Sequence, residues 1–348
     1  MRISMLLSYA GDFKEAAREV AELERAGLDL VWVPEAYSFD APSAMGYLAA
    51  RTERVVIASG ILPIYSRTPT LLAMTAAGID NLSDGRCMLG LGASGPQVIE
   101  GFHGVPYTAP VGRIREIIEI CRQVWRRERV THDGDHYQIP LPQNQGTGLG
   151  KPLKLINHPV REEIPIAVAS LGEKSVAMTA ELADAWLPAF YSADAADAVW
   201  GEALRAGAAK RDPNRAPLEV FAGGGVGIGT GLEHLRNRGR AGAALYIGGM
   251  GARQKNFYND IFSKSGYAAE AKRIQELYLA GDKKAAEAAI PDSYLEKNSL
   301  IGEEGFVRDR LHALRESGVT SLNVGFVGDT TAERVKTCEK LRKIVDDL

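Results

Sequence analysis

Residues 1–33, MRISMLLSYAGDFKEAAREVAELERAGLDLVWV, contain the change of period that sets the fold class. Ile3 to Ser8 is a short apolar run of the kind that forms a buried strand. Phe13, Ala16, Ala17, Val20 and Leu23 then recur at helical spacing until Gly27 stops the helix. Leu28 to Val33 returns to a buried apolar run, so the stretch reads strand, helix, strand.

Outward from here the alternation continues. Pro34 opens a loop, and a short helix is predicted from about Ser43 to Arg51. Val55 to Leu62 is the third strand and Arg86 to Leu91 the fourth. Between them Thr68-Pro69 supplies an N-cap candidate and a proline at the first position of a helix. Three β-loop-α units between Ile3 and Leu91 define an α/β protein with a parallel sheet. Arg113 to Trp125 is a further helix, after which the rhythm breaks. Val130 to Ile139 carries Asp133-Gly134 between β-favouring flanks, a hairpin signal, and LPQNQGTGLGKP from Leu141 has little periodicity.

Strands at Ile164–Ala169, Ala185–Leu187, Leu218–Phe221 and Thr320–Phe326 bring the count to eight, with helices beginning near Gly172 and spanning Glu303–Ser317. The run GGGVGIGTG from Gly223 reads as a strand end and flexible loop, and Glu233 to Ile290 as a helical excursion. Eight short buried strands favour a closed (β/α)8 TIM barrel over a doubly wound sheet. The expected organisation is one domain over residues 1–348, with insertions near 127–163 and 230–300.

The balance of 41 basic against 44 acidic residues gives a net charge of -3, which offers no field to attract a nucleic-acid backbone or an anionic membrane. The chain has 45% hydrophobic residues, enough for a large core. Cys87, Cys121 and Cys338 are scattered without a Cys-x-x-Cys pair, and no signal-peptide pattern is present, so a cytoplasmic protein is expected.

In a barrel the chemistry follows the strands' C-terminal ends. After the fourth strand, GLGASG places Gly90, Gly92 and Gly95 in G-x-G-x-x-G register. A true dinucleotide fingerprint would need a following strand with an acidic ribose ligand, and that strand is missing. The open readings are a backbone surface pressed against a flat cofactor and a structural turn. In SLGEKS, Ser170 and Glu173 have capping-box spacing, so Ser170 either caps its helix or marks an anion site at the helix start. Glu35, directly after VWVP, could serve a cofactor ring, relay a proton or form a salt-bridged rim. Tyr37, Asp40, Tyr65 and Arg67 are possible pocket members. His103 is a possible acid or base. His132 and His136 flank a predicted turn, so helical spacing cannot join them at a metal. No nucleophile is visibly coupled to a base.

The stretch SGILPIYSRTPTLLAMTAAGIDNLSDGRCMLGLGASGPQVIEGFHG (Ser59 to Gly104) resembles the bacterial luciferase-like superfamily, within it the coenzyme F420-dependent branch that includes methylenetetrahydromethanopterin reductase. LYIGGMGARQKNFYNDIFSKSGY from Leu245 is a second matching block. The resemblance implies a (β/α)8 barrel with insertions, a homodimer, and F420 at the C-terminal face exchanging a hydride with a small organic substrate. It implies cofactor contacts from Glu35, Ser59, Gly60, Gly92, Ala93, Ser94, Ser170, Leu171 and Gly172, with Glu35 as the residue governing protonation. It also implies a non-prolyl cis peptide in the third strand, best matched to Ser59-Gly60, with Gly60-Ile61 as the neighbouring alternative. Ala36 stands where several F420 enzymes carry histidine, which argues against a histidine-assisted mechanism. The rival expectations are an FMN-dependent monooxygenase and a deazaflavin-binding protein without turnover.

Overall fold

The computed structural model describes residues 1–250 and 256–348. The second resemblance block, at Leu245–Tyr267, therefore falls partly outside the described residues. Eight parallel strands close into a barrel: β1 (Arg2–Leu6), β2 (Leu30–Val33), β3 (Val56–Ser59), β4 (Cys87–Gly92), β5 (Ile166–Ala169), β6 (Ala185–Trp186), β7 (Glu219–Ala222) and β8 (Ser321–Phe326). Closure comes from β1 pairing with β8, from Arg2 opposite Ser321 to Met5 opposite Val324. All eight predicted strands are present.

The surrounding helices are α1 (Phe13–Arg25), α2 (Ala41–Ala49), α3 (Pro69–Leu82), α4 (Pro110–Trp125), α5 (Glu173–Leu182), α6 (Glu202–Ala208), α7 (Glu304–Glu316) and α8 (Thr331–Asp346). Local chemistry sets their ends. Asp12 caps α1 by accepting from Lys14 and Glu15 N–H groups, and Thr68 caps α3 with Pro69 at its first position. Ala17, Val20 and Leu23 of α1 are buried, the stripe anticipated from their spacing.

Inside the barrel, Leu30, Trp32, Ala58, Met88, Ala167, Ala185 and Phe221 form one cluster. Trp32 meets Phe221 edge-on at 5.0 Å and donates its indole N–H to Ser4 Oγ at 3.0 Å. At the N-terminal end Arg2 Nε donates to Glu219 Oε1 at 2.8 Å, closing the floor. The larger cluster lies between strands and helices. Among the described residues, no helix is long and apolar enough to cross a membrane.

Three expectations change. The third strand is not continuous to Leu62: β3 stops at Ser59, and Leu62–Pro63 resumes pairing with β4, Leu62 opposite Leu91. GGGVGIGTG is more than a strand end and loop, because Gly225–Ile228 is a parallel strand between β8 and a further strand, Leu300–Gly302. Burial of Val226 and Ile228 explains it, since alternate apolar residues among glycines supply one packed face. Helix α8 was not anticipated. Its Thr330 and Glu333 form a reciprocal capping box.

The hairpin appears as predicted, with His132–Asp133 antiparallel to Gln138–Ile139. The excursion after β7 is helical, including Arg240–Gly249, Phe257–Phe262, Ala268–Leu279, Lys283–Ala288 and Asp292–Lys297, with breaks at positive-φ Gly266 and Gly281.

Candidate active site

The strand registers determine which loops are neighbours. Val33 lies opposite Ser59 and Gly92 opposite Ala169, so the ends of β2, β3, β4 and β5 make a continuous arc. That arc carries all nine predicted site residues: Glu35, Ser59, Gly60, Gly92, Ala93, Ser94, Ser170, Leu171 and Gly172.

Glu35 is buried and doubly engaged. Arg67 forms a two-pronged pair with its carboxylate, Nη2 to Oε2 at 2.9 Å, and Ala41 N–H donates to Oε2 at 2.8 Å. It thereby ties the entry of α2 to the loop before α3, through charge-assisted bonds in a buried setting. Asp40 accepts from Ser43 N–H at 3.0 Å and so caps α2. Tyr65 donates its hydroxyl to the Thr108 carbonyl at 2.8 Å, and burial pushes its phenol up to about 12.

Ser59 is wholly buried. Its Oγ donates to the Gly90 carbonyl and accepts from Gly90 N–H, both at 2.8 Å. A Cβ on Gly90 would overlap the Ser59 carbonyl oxygen, and one on Gly92 would lie 2.6 Å from Ile61 Cγ1. Gly90 and Gly92 are thus required by the chain beside them, whereas Gly95 has room for a side chain. Beyond Gly92 the chain turns at Ser94, whose φ is 56 and whose carbonyl accepts from Tyr107 at 3.4 Å.

The cis bond lies at Gly60-Ile61, the alternative position, and not at Ser59-Gly60. Gly60 N–H still donates to the Val33 carbonyl at 2.7 Å, so the ladder holds the Ser59-Gly60 link and the chain departs one residue later.

Ser170 does not form the expected capping box. Gly172 is the N-cap of α5, without a side-chain cap, whereas Ser170 Oγ lies 2.9 Å from Thr179 Oγ1 inside the core. The Ser170 carbonyl accepts from Trp186 and the Leu171 carbonyl from Trp200, which turns both residues inward. The first-turn N–H groups of Glu173, Lys174 and Ser175 have no protein partner among the described residues. Lys264 Nζ pairs with Glu173 at 3.1 Å, offsetting the one carboxylate that opposes an anion there. Uncapped amides at a helix start fit a phosphate group.

Opposite this arc is a cleft of about 470 Å³ at the ends of β6, β7 and β8, lined in part by Phe190, Phe221, Gly224, Tyr294, Asn298 and Asn323. None of the nine predicted residues lines it. The two sides meet at the Trp32–Phe221 pair.

The sequence singles out Tyr37 and Tyr65 but misses Tyr9, Tyr107, Tyr246 and Tyr258. Tyr9 follows β1, Tyr37 follows β2, and Tyr107 lies beyond β4; Tyr246 and Tyr258 come from the excursion. Burial raises the Tyr258 phenol, and its neighbours Tyr246, Tyr9 and Tyr107 add to the shift. Burial raises the Tyr9 phenol as well, with Tyr246 and Tyr37 adding to the shift. Phe190 contacts Tyr246 at 5.7 Å and Tyr258 at 5.5 Å, and the two tyrosines meet at 4.8 Å. No local periodicity marks these positions. Only their shared place after strand ends could have signalled them. His103 also sits near the rim, with its Nε2 buried and without a partner among the described residues.

The fold is a closed parallel barrel, a class of protein whose ligand sites lie at the strands' C-terminal ends. The family model described as luciferase-like monooxygenase matches residues 1–321. A Mycobacterium tuberculosis protein named for coenzyme F420-dependent oxidoreductase activity is 38% identical over 93% of this chain and 94% of its own length. The 5,10-methylenetetrahydromethanopterin reductase of Archaeoglobus fulgidus is 26% identical over 87% of this chain and 86% of its own. The structure of the coenzyme F420-dependent tetrahydromethanopterin reductase from Methanopyrus kandleri superposes with a TM-score of 0.81 at 19% identity, covering 99% of this chain and 98% of that one. The chain belongs to the luciferase-like family, in the branch related to methylenetetrahydromethanopterin reductase.

Proposed function

We propose that this oxidoreductase uses coenzyme F420 to exchange a hydride with a small organic substrate. The observation that carries the reading is the arc itself: a broken third strand packed on Gly92, one strand away from the uncapped start of α5. Those residues suit a flat ring with a phosphate-bearing tail. When bound, the deazaflavin supplies the hydride chemistry.

The protein's part is alignment and exclusion of water. Backbone at Ser59, Gly60, Gly92, Ala93 and Ser94 would back the ring, and the turn Ser170–Gly172 would present the free first-turn amides of α5, Glu173 to Ser175, to the tail. Glu35 holds Arg67 and the α2 entry in place, and through that pair governs protonation at the rim. Tyr258 and Tyr246, on the excursion, screen the mouth from solvent.

An FMN-dependent monooxygenase is the second reading, favoured by the name of the matching family. Titration of the purified chain with F420 and with FMN, followed by their distinct visible absorption bands, separates the two. Saturable F420 binding with hydride exchange is the expected result. Tight FMN binding without F420 binding overturns it, and F420 binding without exchange to any acceptor leaves a non-catalytic deazaflavin-binding protein.

The reading includes a homodimer in the cytoplasm. The three free cysteines are buried, in keeping with a reducing compartment, and burial pushes the Cys338 thiol up to about 12. Light scattering in solution tests the dimer.

A further inference from the structure

We propose that the mouth takes a planar, conjugated ring compound bearing a carbonyl or hydroxyl oxygen, and that Tyr258 orients that oxygen. The proposal rests on the redox reading of the same mouth and names its substrate class.

Aromatic side chains arrive here from separate segments. Tyr9 is 50% exposed, Tyr37 70% and Phe102 66%, so their rings present area to whatever enters. Phe190, after β6, and Tyr246 and Tyr258, from the excursion, are already in mutual contact. Ring faces and edges pair best with another flat π-system, and an aliphatic or puckered ligand leaves that geometry unmatched. Exposed apolar area concentrated beside a cleft marks a binding surface.

The hydroxyls of Tyr246 and Tyr258 have no hydrogen-bond partner among the described residues, although their rings pack on Phe190 and on each other. A buried phenol that stays protonated donates to a ligand oxygen throughout the neutral range. Asn256 fixes this donor. It is 4% exposed, its Nδ2 donates to the carbonyls of Tyr246 and Ile247 at 3.0 Å, and its Oδ1 accepts from Tyr258 N–H at 3.0 Å. One buried amide therefore holds both tyrosine-bearing helices in a single arrangement. Phe257, next in sequence, packs against Gly172, which seats the same helix on the start of α5.

The test uses the full-length chain and calorimetric titration with 2-methyl-1,4-naphthoquinone, planar, against cyclohexanone, puckered. The wild type is expected to bind the naphthoquinone at least about tenfold more tightly, the scale of an aromatic pair. Tyr258→Leu loses about tenfold in naphthoquinone affinity, and Tyr258→Phe, which preserves packing, loses about fivefold through the missing hydroxyl. Equal affinity for the two probes overturns the substrate class, and wild-type affinity in Tyr258→Phe overturns the orienting role. If Tyr258→Leu weakens F420 binding and spares the naphthoquinone, the rings serve the cofactor and the proposal falls. F420 titration of the wild type is read separately: its failure sinks the redox reading, while the naphthoquinone comparison still decides this one.

Discussion

Inside the barrel, residues from β2, β3, β4, β5, β6 and β7 share one cluster built on Trp32 and Phe221. The excursion after β7 keeps a separate core of Ala243, Ala244, Ile247, Phe262, Ala271 and Ile274, among others. The barrel core is ringed by backbone pairing, so each side chain's place follows from register. The excursion is held differently, by polar anchors between short helices: Asn256 to the end of one helix, and Asn259 Nδ2 to the carbonyls of Ile247 and Ala271 at 3.1 and 2.9 Å. The difference teaches where variation is tolerated. A frame closed by strand pairing leaves little slack, whereas a satellite core fastened by a few amides can change its exposed side chains without disturbing the strands.

Breaking the frame gives the largest expected effect. Gly90→Ala drives a methyl group into the Ser59 carbonyl, which neither strand can yield without losing register. A loss of about 3 kcal/mol is expected, at the upper end of overpacking. Urea denaturation reads it, and wild-type stability would show that β3 and β4 have more slack than their packing implies.

Glu35→Gln should cost about 2 kcal/mol, because it strands Arg67 in a largely buried position while keeping a neutral acceptor. It also tests the role assigned to the carboxylate. If Glu35 governs protonation, kcat falls and its pH profile changes while F420 affinity holds; if F420 affinity alone falls, the residue acts only by shaping the rim.

The smallest effect belongs to the excursion. Asn256→Ala leaves the Tyr246 carbonyl without its side-chain donor, while Ile247 keeps Asn259; the loss is about 1 kcal/mol, and the cost should be local. Hydrogen exchange should accelerate in Arg240–Gly249 and Phe257–Phe262 with the barrel strands unchanged. Equal acceleration in β1–β8 would mean that the two regions unfold as one.

The strands were legible because a buried parallel strand needs a short apolar run between turn signals, and each of the eight has one. Thr68-Pro69 was legible because capping depends on neighbours in sequence. The same logic failed at Ser170 and Glu173. Their capping-box spacing is also met at Thr330 and Glu333, and only the second pair forms the box, because the N-cap of α5 is Gly172, two residues after Ser170, and Ser170 Oγ turns instead to Thr179 farther along that helix. Gly92 was singled out as backbone for a flat ligand, while its small size answers first to Ile61.

What the chain determined by itself was the alternation of buried runs and amphipathic helices, hence the barrel and the face on which a site must lie. Tertiary structure alone decided that Glu35 meets Arg67, that the third strand breaks after Ser59, and that Tyr65 meets Tyr107 and Phe190 meets Tyr258. Those relations join residues far apart in sequence, and their energies depend on distances that exist only after closure brings the strand ends together.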